Sequence, residues 1–153
     1  MSPIEVEAAV LRAGILVGLV HEREAGAWAE ARLAANSGPA DLLTDVILAP
    51  VELTAVREAL RPLCAGADTT IVVRRLLELL LASSDRPLES RLKSLTLLDR
   101  ELGLPSPLGA QVKGIADRMM LVNVGMRGER APDDAELEAA VRAALVRLGP
   151  GIR

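Results

Sequence analysis

Pro87-Leu88-Glu89-Ser90-Arg91-Leu92-Lys93-Ser94-Leu95-Thr96-Leu97-Leu98-Asp99-Arg100-Glu101-Leu102-Gly103-Leu104-Pro105 spells out a helix from start to stop. Leu88, Leu92, Leu95, Leu98 and Leu102 recur at helical spacing and form one apolar stripe, with Glu89, Lys93 and Arg100 turned elsewhere. Pro87 stands at the opening, where a missing N–H costs nothing. Gly103 supplies a left-handed cap and Pro105 blocks continuation.

The same grammar runs outward in both directions. Leu108, Val112, Ile115, Met119 and Val122 make a second stripe. Leu137, Val141, Ala144, Leu145 and Leu148 make a third, closed by Gly149-Pro150-Gly151. Leu53, Val56, Leu60 and Leu63 make a shorter one. Pro3, Pro39, Pro50, Pro87, Pro107 and Pro132 each precede an apolar run, which places them at first helical positions. Ser2-Pro3-Ile4-Glu5 reads as a capping box, Asp68 as an N-cap, and Asp133-Asp134 as acids favoured at a helix start. The segments Ile4–Val20 and Ile71–Leu81 are apolar on most faces and read as central helices.

The expectation is an all-α, compact single-domain bundle of six to eight helices spanning 1–153. The helices fall near 3–20, 22–35, 39–48, 51–62, 69–83, 87–102, 107–122 and 133–148. The first two could be continuous, since only Gly26 weakens their junction. The absence of an internal repeat argues against a solenoid.

Composition narrows function. The 153 residues include 27 Leu and 24 Ala, a single Trp, and neither Phe nor Tyr. The core must therefore be aliphatic. A chain of this size buries roughly 70% of the surface its unfolded form exposes. The net charge is −3, too mild to imply nucleic acid. It is unevenly spread, with nine acids and four bases in residues 1–60, and twelve acids and fourteen bases in 61–153. Single-strand binders stack bases on aromatics, and only Trp28 is on offer. Arg outnumbers Lys 16 to 2, as in a high-GC bacterial gene. Cys64 is alone, which fits a reducing compartment. The N-terminus is acidic where a secretion signal would be basic, and Ala13–Val20 is too short to span a bilayer. A cytoplasmic protein is expected.

The chemical motifs are incomplete. His21 is followed by Glu22 and Glu24, but position 25 is Ala, where a metalloprotease helix needs a second His. One histidine cannot supply the two Glu-x-x-His pairs of a di-iron bundle, although an all-carboxylate site stays open. A Cys64–His21 nucleophilic dyad has nothing to bring it together. Ser90-Arg91-Leu92-Lys93 matches the Ser-x-x-Lys of penicillin-recognising enzymes without its companion motifs, and reads as the polar side of a helix. Gly109 to Gly114 has phosphate-loop spacing, but Ile115 stands where Lys is required. Asp41 and Asp45 share a helix face but are too few for a magnesium site. No catalytic residue, metal or cofactor is expected.

The stretch from Ala27-Trp28-Ala29-Glu30 through Asp41-Leu42-Leu43-Thr44-Asp45-Val46-Ile47-Leu48, and on to Leu63, resembles small Leu/Ala-rich helical proteins of unassigned function from high-GC bacteria. Some of those are similar to immunity proteins encoded beside polymorphic toxins. The resemblance implies a binding protein with a dedicated partner and carries over no functional residue.

The expected function is a non-catalytic protein-binding module, of immunity or inhibitor type. The alternatives are a small helical enzyme with a carboxylate site, or a transcription-linked helical module. The partner is expected to be another protein, without nucleic acid or membrane, and a homo-oligomer stays open. Interfaces lean on Trp, Tyr and Arg anchors, so here Arg and aliphatic side chains must supply them. The longest expected loop, 123–132, offers Met126, Arg127 and Arg130 as contact residues.

Overall fold

The structure, a computed structural model, describes residues 3–125, 128 and 130–149. Among these residues the secondary structure is eight α-helices and one 3-10 turn, with no strand. The helices are α1 (Pro3–Leu16), α2 (Glu22–Ala34), α3 (Ala40–Leu48), α4 (Leu53–Leu60), α5 (Thr69–Ala82), α6 (Leu88–Leu102), α7 (Leu108–Asn123) and α8 (Asp134–Leu148). The 3-10 turn is Arg61–Cys64. The all-α expectation is met.

Several boundaries differ from the expectation for local reasons. The first helix stops at Leu16 and not at Val20, because the Gly14 carbonyl accepts the amides of Leu19 and Val20 at 2.8 and 3.1 Å and Gly18 turns to φ +80°. The first two helices are therefore separate. The fourth helix gives way to the 3-10 turn at Arg61, where Pro62 has no N–H to continue an α-helical ladder. Pro39, Pro87 and Pro107 sit at N-cap positions, one residue before the place expected for them. Their carbonyls accept the amides of Leu43, Arg91 and Gln111 at 3.0, 3.1 and 3.0 Å. Pro50 and Pro132 lie outside their helices altogether. Ser2 lies outside the described residues.

The expected cap at Asp68 is present, and Asp133, expected as an acid favoured at a helix start, is the N-cap of α8. Asp68 Oδ1 accepts from the Thr70 amide at 2.9 Å, and Asp133 Oδ1 from the Glu136 amide at 2.8 Å.

The chain divides into two compact units, Met1–Val72 and Val73–Arg153, with the boundary inside α5. In the first, Ile4, Ala8 and Ile15 of α1 pack with Ala25 and Ala29 of α2, Leu43 and Val46 of α3, Val56 and Leu60 of α4, and Leu63. Ala8, Ala25 and Ala29 are wholly buried, which lets helix backbones approach closely. Polar ties fix the angles. Glu7 accepts hydrogen bonds from the Trp28 indole at 2.9 Å and from Arg32, which also donates to the Ser37 carbonyl at 3.3 Å. Arg12 and Arg57 each donate from Nε to the other's carbonyl at 3.1 Å.

In the second unit, Leu76, Leu77 and Leu80 of α5, Leu92, Leu95 and Leu98 of α6, Leu108, Val112 and Ile115 of α7, and Leu137, Val141 and Ala144 of α8 are buried. Two of these helices carry the apolar stripes read from sequence almost unchanged. Arg74 donates to the Leu145 carbonyl at 3.2 Å and ties α5 to α8. Arg91 of α6 is only 1% exposed and pairs with Asp134 and Glu138 of α8. Among the described residues no helix is long and apolar enough to cross a membrane.

Candidate functional site

The residues with the most reactive side chains are committed to structure. His21 is the N-cap of α2: its Nδ1 accepts from the Arg23 amide at 3.2 Å, while Glu24 accepts from the His21 amide at 2.7 Å. Cys64 is half-buried at the end of the 3-10 turn and donates to the Leu60 carbonyl at 3.3 Å. Burial pushes its thiol pKa up, against the opposing pull of Arg12 and Arg57.

That direction has a measurable consequence. A raised thiol pKa means the folded chain favours the protonated form. The stability so contributed is complete below the ordinary cysteine range and is lost as pH rises through the raised value. Alkylation of native protein by iodoacetamide is expected to run at least about tenfold slower than that of denatured protein. Equal rates would show that Cys64 is neither shielded nor held protonated.

The remaining motifs are placed as follows. Gly109 and Gly114 both lie within α7, so their phosphate-loop spacing falls on helix and not on loop. Asp41 and Asp45 are exposed on α3. Ser90 accepts a hydrogen bond from Arg86 at 2.7 Å. The expectation that Ser90 to Lys93 forms a polar helix side fails at its middle, because Arg91 and Leu92 are buried. Among the described residues, no three His, Cys, Asp or Glu side chains are grouped to hold a metal ion.

Of the expected contact residues, Met126 and Arg127 lie outside the described residues. Arg130 is exposed, with its guanidinium 4.0 Å from the Asp133 carboxylate.

The most distinctive surface lies just before that loop, in the second unit. A groove of about 560 Å³ runs between α6 and α7. From α6 it is lined by Leu92 and Leu97, by Thr96, and by Lys93 and Arg100 on the rim, with Glu89 at one end. From α7 it is lined by Ala116, Met119, Met120 and Asn123, and Val124 follows directly. Each wall advances by three or four residues, so both are single helix faces. Met120 is 59% exposed and Val124 70%. Lys93 and Arg100 are exposed, and neither makes an ion pair among the described residues.

A second concavity, of about 610 Å³, lies between α7 and α8. Gly114, Ile115, Ala139, Ala140 and Ala143 make it shallow in side-chain chemistry, and its two charges, Arg118 and Glu136, pair with each other. It leaves no free charge to choose a partner. In the first unit, Leu48 and Val51 are exposed around the α3–α4 connection.

Sequence reading placed Met119 and Val122 in a core stripe, but both are only half-buried, and Met119 lines the groove. The available signal was the apolar residue of the adjacent face. Met120 next to Met119, with Val124 one turn on, gives α7 more apolar surface than one stripe can bury. No family model, curated protein or solved structure matches this chain, so the functional reading rests on the geometry.

Proposed function

We propose that the chain is a non-catalytic protein-binding module and that the α6–α7 groove is its contact face. The observation that carries this is the exposure of Met120 and Val124 beside Leu97 in a concave apolar surface, rimmed by two cations, Lys93 and Arg100, that make no ion pair among the described residues. Exposed apolar grooves with a polar rim are where proteins dock. Methionine is well suited to such a floor, since its flexible, polarizable chain adapts to a partner.

The engagement of His21 as a helix cap and of Cys64 as a protonated, half-buried thiol supports a non-catalytic role. An immunity- or inhibitor-type protein, acting in the cytoplasm on one dedicated partner, is the form of this reading that the Leu/Ala-rich resemblance favours. Of the loop residues expected as contacts, Met126, Arg127 and Arg130, the described one, Arg130, is exposed and stays a candidate beside the groove residues.

The test is affinity capture from the native host with mass spectrometry, followed by titration of the purified partner. Leu97→Glu and Met120→Glu are each expected to weaken binding at least about tenfold. Met120→Glu should leave stability within about 0.5 kcal/mol, since that side chain is exposed. Charge reversal at Arg127 and Arg130 should weaken binding less. Full affinity in both groove variants would remove the groove from the interface.

A further inference from the structure

We infer that the occupant of the α6–α7 groove is an acidic amphipathic helix of the partner protein, an inference that rests on the reading of this groove as the contact face. Three observations lead there.

The first is the mode of recognition the surface allows. Strand addition needs a sheet edge, and there is no strand among the described residues. Polyproline segments dock on aromatic-lined grooves, and the chain's single aromatic, Trp28, is on α2, in the other unit. What the groove does offer is an aliphatic and thioether floor between two helix ridges, which is how apolar helix faces are received.

The second is length. The α6 wall runs from Glu89 to Arg100, roughly 16 Å at 1.5 Å per residue, and the α7 wall from Ala116 to Asn123, roughly 10 Å. That accommodates two to three turns of helix, enough for anchors at i, i+3 or i+4, and i+7.

The third is charge. Lys93 and Arg100 stand two helical turns apart on the same rim, roughly 10 Å along the axis. Neither has a carboxylate partner among the described residues. A helix with glutamates flanking its apolar face would satisfy both. A helix with lysines there would meet two like charges, so the rim selects by repulsion as well as attraction. Glu89 reduces the positive field at one end of the groove only.

The experiment uses the full chain with ¹³C-methyl methionine, in which Met119 and Met120 report from the groove itself. The probes are two synthetic peptides of about three to four turns, each with leucines at i, i+3, i+4 and i+7 spacing. One carries flanking glutamates and the other lysines. The acidic peptide is expected to shift both methyl signals saturably and to bind at least about tenfold more tightly than its lysine counterpart. Added salt should narrow that gap. Lys93→Glu with Arg100→Glu should reverse the preference. Both side chains are exposed, and the peptide exchange alone tests the charge without altering the protein.

Equal or tighter binding of the lysine peptide at these methyls would overturn the acidic assignment while leaving the groove as contact face. Silence of both methyls to both peptides would overturn the helix assignment, and the groove itself is then judged by the captured partner against Leu97→Glu. Methyl shifts that move with protein concentration alone would make a second copy of the chain the occupant and overturn the proposal.

Discussion

Neutralising both carboxylates that face Arg91, by Asp134→Asn with Glu138→Gln, is expected to lower stability by about 3–5 kcal/mol. Arg91 is 1% exposed, whereas the side chains of its partners are 60% and 30% exposed. The pair is thus lopsided: the cation has given up its water and the anions have not. Removing the anions strands a buried charge, which is the costly direction. Arg91 Nε is also buried without a hydrogen-bond partner among the described residues, so this guanidinium is incompletely satisfied by them. Arg91→Met adds a side chain of similar length without the charge. Placed on the doubly neutralised background, it should recover most of the loss. Urea denaturation of the three variants measures this. A double carboxylate variant within about 0.5 kcal/mol of the parent would mean that Arg91 finds water on its own.

Leu77→Ala is expected to cost about 2–5 kcal/mol, with Leu80→Ala in the same range. Both leucines lie on the buried face of α5, with Leu77 wholly inaccessible and Leu80 nearly so. Truncation removes the transfer energy of the lost carbons and leaves a void that an aliphatic core closes only in part. Leu79, on the same helix but 37% exposed, is the internal control and should cost under about 1 kcal/mol. Similar denaturation midpoints for Leu77→Ala and Leu79→Ala would show that burial along α5 is not what holds this unit.

These two sites mark how far the sequence could be read. Leu77 was legible: a leucine within an apolar run at helical spacing is buried wherever the helix forms. The same logic gave α6 and α8 their inner faces, and Asp68 its capping role, because caps and stripes are local. Arg91 was not legible. Nothing within α6 says that an arginine between Ser90 and Leu92 turns inward, since its reason lies in Asp134 and Glu138, more than forty residues on. The end of α1 was not legible. The apolar run reads as helix to Val20, and the positive φ of Gly18 depends on the return of the Leu19 and Val20 amides to Gly14. The groove fell between these cases. Met119 fits a core stripe by spacing, and only the packing of α7 against α6 shows that Met119 and Met120 are left over for something else. Met126 and Arg127 came from a loop-based argument and lie outside the described residues.

Photo-cross-linking tests the proposed contact face most directly. Met120→p-benzoylphenylalanine and Leu97→p-benzoylphenylalanine place the probe in the α6–α7 groove. The same replacement at Leu48 or Val146, both exposed elsewhere, serves as control. With the captured partner bound, cross-links at positions 97 and 120 and none at 48 or 146 are the expected result. A partner that cross-links at 48 or 146 while the groove positions stay silent would contradict it.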